Sequence, residues 1–165
     1  MFQEKESPTL AGASGAPVGR RCFMSEPVTV TLAGAPQGKG RARSYLRGGR
    51  IRHYTPEPTR SYEGMIRTAA MDALGDRRPI DAPVAFELTA VFPVPASWSG
   101  RKRQRALDGE IKPGKPDLDN IAKAWSDACN GVVYRDDSLI CNMALAKRYG
   151  LAPQVSVTVT PMGGR

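Results

Sequence analysis

Three short segments alternate apolar and polar residues. Val28, Val30 and Leu32 form one, Val84, Phe86, Leu88 and Ala90 a second, and Val155, Val157 and Val159 a third. A period of two puts each set on one side of an extended chain, so all three predict strands with one buried face. Glu87 falls on the opposite side of the second strand, toward solvent, and Pro93 and Pro95 close that strand. Residues 139–149 are ambiguous between strand and helix. Read as a strand, they pair with 154–160 as a hairpin joined through 150–153. A period of 3.6 appears in Tyr62, Met65, Ile66, Ala69, Ala70, Ala73 and Leu74, which predicts a long helix. Thr55 is its expected N-cap, Pro56 its first position and Gly75 its stop, with Glu63 and Arg67 as a supporting four-apart pair. Ile121, Ala122, Trp125, Ala128 and Cys129 give the apolar face of another helix, beginning near Asn120 with Asp119 as cap and ending at Asn130-Gly131. Ser99 caps a short basic helix within 97–107.

The order is strand, helix, strand, short helix, helix, strand, strand. It predicts an α+β fold in one small domain, a mixed β-sheet of about four strands with helices packed on one side. The domain is expected over 27–161. Residues 1–26, rich in Gly, Ala, Ser and Pro, read as a flexible tail, with Met24 as a possible alternative start, and 162–165 read as a second tail.

Charge changes this picture. The 165 residues carry a net charge of +8, which fits a polyanionic partner, nucleic acid ahead of a membrane surface. Within 34–52, read as a loop, Lys39, Arg41, Arg43, Arg47, Arg50 and Arg52 are interleaved with five glycines, a composition suited to phosphate contacts. Arg101, Lys102, Arg103 and Arg105 form a second basic segment. No apolar run is long enough to span a membrane, and the three cysteines, Cys22, Cys129 and Cys141, lack metal-ligand spacing and read as reduced thiols of a cytoplasmic protein. With His53 the sole histidine, a Ser-His-Asp triad is excluded.

Against that basic background, residues 114–137 hold five of the 16 acidic residues: Asp117, Asp119, Asp127, Asp136 and Asp137. Crowded carboxylates repel, and a cation between them removes the repulsion. Oxygen ligands without histidine or cysteine partners point to Mg²⁺, with Mn²⁺ as a substitute, over zinc. Asp117 and Asp119 are two apart in an extended segment and can face together, while 132–134 offer a return path for Asp136-Asp137. Lys123 follows Asp119 by one helical turn, and Asp127 follows Lys123, as the partner expected to orient it.

The stretch resembles the RusA-type Holliday junction resolvases of bacteriophages and prophages. The match runs through Lys115-Pro116-Asp117-Leu118-Asp119-Asn120, Lys123, Asp127-Ala128, Asn130-Gly131-Val132-Val133-Tyr134 and Asp136-Asp137, with a second segment at Gly38-Lys39-Gly40-Arg41-Ala42-Arg43, Tyr54-Thr55-Pro56 and Tyr62-Glu63. A proline usual in the family near Ala42 is missing. The resemblance implies a homodimeric, Mg²⁺-dependent endonuclease that cuts four-way DNA junctions, with Asp117, Asp119 and Asp137 as metal-binding catalytic carboxylates and Lys123 as the functional lysine. Lys39, Arg41, Arg43, Arg52, Arg101, Lys102, Arg103 and Lys115 are the residues expected on DNA. The competing reading is a non-catalytic, structure-selective DNA-binding protein whose aspartates are helix caps and turn residues. A metal enzyme on nucleotide sugars is disfavoured by the basic segments.

Overall fold

The structure is a computed structural model, and it describes residues 26–41 and 43–163. The expected N-terminal tail up to residue 25, with Met24 and Cys22, lies outside them. Four strands make one sheet in the order β1-β6-β4-β5: β1 Val28–Ala33, β4 Val84–Pro93, β5 Ile140–Gly150 and β6 Gln154–Pro161. β1 pairs antiparallel with β6, β6 antiparallel with β4, and β4 parallel with β5, so the sheet is mixed. Two more strands, β2 Arg43–Arg47 and β3 Arg50–Tyr54, form a separate antiparallel hairpin. The helices are α1 Glu57–Leu74, α2 Gly100–Leu107 and α3 Leu118–Cys129.

One face of the sheet carries the core. Val28 and Val30, Phe86 and Leu88, and Val155, Val157 and Val159 pack with Tyr62, Ile66 and Ala70 of α1 and with Ile121 and Trp125 of α3. The other face is polar: the Thr29 and Thr158 hydroxyls meet at 3.1 Å, as do those of Thr31 and Ser156, and Glu87 is exposed as its alternation requires. Two side chains lock α1 to α3 and α3 to the turn after it. The Trp125 indole N–H donates to the Tyr62 hydroxyl at 3.3 Å, and the Tyr134 hydroxyl donates to the Ser126 carbonyl at 2.8 Å. Burial pushes both tyrosine hydroxyls above their ordinary pKa.

Several expectations are corrected. Residues 140–150 and 154–161 are strands, but they do not form a hairpin with each other, because β4 lies between them. β4 is central because it pairs on both of its edges, parallel with β5 and antiparallel with β6, while β5 pairs with β4 alone, is exposed along most of its length and takes an edge. Residues 34–52 are not one loop, since they contain the β2–β3 hairpin. Gly48 and Gly49, both at positive φ (60° and 70°), supply the two-residue turn that such a hairpin needs. α1 is capped by Pro56 rather than Thr55, and α3 by Asp117 rather than Asp119, neither through a side-chain hydrogen bond. Gly75 does close α1, and the Ser99 hydroxyl does accept from the Lys102 amide at 3.4 Å to open α2. Met65, expected on the apolar stripe of α1, is exposed.

Candidate nuclease site

The site is built along the outer face of α3. Ile121 and Trp125 are fully buried, which turns Asp119, Lys123 and Asp127, spaced four apart, to the opposite side. Asp117 at the N-cap and Asp119 in the first turn place negative charge where the helix dipole is positive. The turn leading into α3 contains a cis Lys115-Pro116 peptide and is held from β5: the Lys147 ammonium donates to the Gly114 carbonyl at 2.6 Å and the Pro116 carbonyl at 3.4 Å. Sequence reasoning missed Lys147, since nothing local marks a strand lysine as a clamp on a loop 31–33 residues away.

The chain after α3 is pinned as well. Tyr134 is buried, and 133–135 exchange backbone hydrogen bonds with Ile80, namely Ile80 N to Val133 O at 2.9 Å and Arg135 N to Ile80 O at 3.0 Å. This sets Asp137 beside the C-terminal half of α3, where it lines a recess with Ser126, Cys141, Asn142 and Met143. Asp117 lines a different recess, with Lys39, Arg41, Lys115 and Asn120. Ser126 lies seven residues beyond Asp119, about 10 Å along the helix axis. Asp117 and Asp137 thus line two separate recesses, and among the described residues no three His, Cys, Asp or Glu side chains gather as a ready metal-binding group.

The five aspartates separate by what they touch. Asp127 is half-buried and bridges two lysines, Lys39 and, at 3.5 Å, Lys123. Asp136 accepts from the Ser138 amide at 2.9 Å, and hydrogen bonding to Ser138, through its side chain first and then its amide, lowers its pKa below the ordinary value. Asp117, Asp119 and Asp137 are exposed and, among the described residues, have no side-chain hydrogen bond or ion pair. Hard oxygen donors left unneutralised in a protein of charge +8 are the donor chemistry that a divalent cation of the Mg²⁺ type prefers.

The basic residues divide too. Lys39 is pinned: its ammonium pairs with Asp127 and, at 3.2 Å, with Glu63. Its partial burial alone would lower its pKa, but the bonds to Asp127 and Glu63 outweigh that and raise it. Glu63 is therefore spent on Lys39, not on Arg67, whose guanidinium reaches the Asn130 carbonyl at 3.5 Å. The backbone around Lys39 is pressed onto the helix starts. Its N–H donates to the Asn120 carbonyl at 3.0 Å, and the Gly40 N–H to the Thr59 hydroxyl at 3.1 Å. A Cβ at Gly38 would sit 3.0 Å from Pro116 Cβ, and one at Gly40 2.5 Å from the Thr59 hydroxyl oxygen. These glycines serve close approach within the protein. Arg41, Lys115 and Arg52 are exposed, and Arg43 opens β2 opposite Tyr54. Arg101, Lys102 and Arg103 lie exposed on α2, where the Lys102 ammonium sits 4.1 Å above the Trp98 ring. The free thiol of Cys129 is buried and pushed up to about 12, which removes it as a nucleophile.

The structure is thus a small α+β domain with an acidic strip on one helix and basic segments beside it. The family model for endodeoxyribonuclease RusA matches residues 33–160, and the chain belongs to that family. It is also 30% identical over 138 residues to the uncharacterized protein YqaN of Bacillus subtilis (strain 168), an alignment covering 80% of this chain and 94% of that relative. No helix among the described residues is long and apolar enough to cross a membrane.

Proposed function

We propose that the protein is a Mg²⁺-dependent endodeoxyribonuclease, able to use Mn²⁺, that resolves four-way DNA junctions as a homodimer. The observation that supports this most is the sorting of the acidic stretch: Asp127 and Asp136 are occupied by protein partners, while Asp117, Asp119 and Asp137 stay exposed and unpaired among the described residues. Those three would hold the metal. A divalent cation bound by carboxylates lowers the pKa of a bound water and offsets charge on the phosphodiester. Lys123, steadied by Asp127, would hold a phosphate oxygen by charge-assisted hydrogen bonding. Arg41, Arg43, Arg52 and Lys115 at one end, and Arg101, Lys102 and Arg103 on α2, would carry the DNA backbone. Lys39 would serve by fastening its loop to α3. That no three such side chains gather among the described residues favours a second reading, a non-catalytic junction-binding protein.

One experiment separates the two. A synthetic four-way junction is incubated with the protein with and without Mg²⁺, alongside Asp117→Asn, Asp119→Asn and Asp137→Asn variants. Removing each charge should cut cleavage about 100-fold or more while junction binding survives, because binding rests on the cations. Asp136→Asn should do less than Asp137→Asn. Mg²⁺-dependent cleavage near wild type in all three variants, with circular dichroism unchanged, refutes the assignment, and no cleavage by the wild type supports the binding-protein reading. Two symmetric cuts in a junction of near two-fold symmetry call for a two-fold enzyme. Light scattering should give twice the chain mass of 17.8 kDa, and a junction-cutting monomer would refute the dimer.

A further inference from the structure

The β2–β3 hairpin has two unlike faces, and among the described residues neither is covered. Residues paired across an antiparallel ribbon share a face. The pairs Tyr45–Arg52 and Arg47–Arg50, together with Tyr54, put three arginines and two tyrosines on one side, where the tyrosine rings meet edge to face at 5.9 Å. The pairs Leu46–Ile51 and Ser44–His53 make the other side, with the Ser44 hydroxyl 2.7 Å from His53 Nδ1. Leu46 and Ile51, the second pair from the Gly48-Gly49 turn, after Arg47–Arg50, are 72% and 68% exposed. Every residue of β3 is exposed. An apolar pair at the tip of an uncovered ribbon contributes almost nothing to this chain's folding, and a two-stranded ribbon by itself is marginal in water. The ribbon springs from Arg41 and Thr55, beside the recess shared by Asp117, Lys39 and Lys115. At about 3.4 Å per residue, its five-residue strands extend about 17 Å, enough to cross the depth of a DNA groove.

We propose that this hairpin is the element that selects branched over linear DNA, its Leu46–Ile51 tip packing against unstacked bases at the branch point while the Arg47–Arg50–Arg52 face holds the phosphates of the adjoining arm. This rests on the reading of the protein as a junction nuclease and names the part that recognises the junction. The partner follows from charge and shape. Arginines interleaved with tyrosines complement phosphates and base faces, and apolar side chains at a tip act as wedges between bases. Within a duplex such a wedge must break a base stack, whereas at a branch point the stack is already interrupted, so the tip discriminates by structure and not by sequence.

The test uses the full chain in EDTA, so that no strand is cut. Binding is measured to a four-way junction carrying 2-aminopurine at its branch point and to a linear duplex of the same sequence. Wild type should prefer the junction and raise the 2-aminopurine fluorescence as the base unstacks. The Leu46→Ser/Ile51→Ser double variant should lose about ten-fold or more of junction affinity and most of the fluorescence rise, with duplex affinity unchanged within about two-fold. The Arg47→Ala/Arg50→Ala/Arg52→Ala variant should weaken both substrates, its slope of log affinity against log salt shallower by up to about three. A tip variant that keeps junction preference and fluorescence overturns the inference and leaves the nuclease reading intact. So does a tip variant that changes only the mass of the free protein, because the tip would then meet a second copy of the chain. A wild type with no preference for the junction overturns the inference together with the junction reading beneath it.

Discussion

α3 and the β2–β3 hairpin are both surface elements with strongly charged outer faces, yet they are held in opposite ways. α3 is anchored: Trp125 is fully buried and bonded to Tyr62, Ile121 lies in the core, and Tyr134 and Lys147 brace the segments at its two ends. Its charged face is acidic at Asp117 and Asp119. The hairpin is joined to the body through its two ends, and its described side chains are exposed and mainly basic. On the proposed function, the difference tracks what each group would do. Carboxylates that hold a cation must keep their positions to within a fraction of an ångström, which an element locked into a core provides better than a free ribbon. Arginines and tyrosines that meet a flexible, repetitive polyanion need reach more than precision.

Core substitution should show the largest contrast. Trp125→Ala leaves a large cavity and removes the indole N–H from the Tyr62 hydroxyl, a loss of about 3–5 kcal/mol that is a large fraction of the stability of a small domain. Trp125→Phe, which keeps much of the volume, should cost less. Leu46→Ser at the hairpin tip should stay within about 0.5 kcal/mol of wild type. Urea unfolding followed by tryptophan fluorescence measures all three, with circular dichroism as control where the Trp125 signal is lost. A Leu46→Ser variant as unstable as Trp125→Phe would break the comparison, because the tip would then be packed on something in solution.

How much of this was legible in the sequence depended on whether the signal was local. The apolar face of α3 came through whole, because Ile121, Ala122, Trp125, Ala128 and Cys129 repeat at the helical period and all are buried. So did the strands with strict alternation and the Gly75 stop. The β5–β6 pairing failed because two neighbouring strands with a short connection look like a hairpin whether or not a third strand lies between them. What separates the cases is which edge each strand offers to β4, a non-local pairing that leaves no mark in the local pattern. The β2–β3 hairpin hid because its strands are built of arginine, and charge density overrode the Gly48-Gly49 turn signal. At the site, Asp117, Asp119, Lys123 and Asp137 were singled out through the family resemblance that their motif carries. The role of Lys39 was not legible, since its partners Glu63 and Asp127 are 24 and 88 positions away.

Lys39 offers the subtlest contrast, since it is a basic residue of the loop next to the hairpin that belongs energetically to α3. Its ammonium is shared by two half-buried carboxylates, so Lys39→Met leaves Glu63 without its cation and Asp127 with Lys123 alone, and should cost about 1–3 kcal/mol. Lys123 still faces Asp127, which sets the lower end of that range. The pH dependence gives the effect a signature. The folded-state pKa of Lys39 is raised above the ordinary 10.5, so its contribution is fully present below that value and is lost as pH rises through the folded pKa. The stability gap between wild type and Lys39→Met should therefore be flat from neutral pH to about 10 and close at more alkaline pH. Because both proteins share every other titrating group, the difference isolates this one. DNA binding gives the second readout: a lysine already neutralised by carboxylates releases no phosphate counterion, so the salt slope should match wild type, whereas Arg41→Ala should lower it by about one. A slope lowered by about one in Lys39→Met, with stability unchanged, would move Lys39 from the α3 scaffold to the DNA surface.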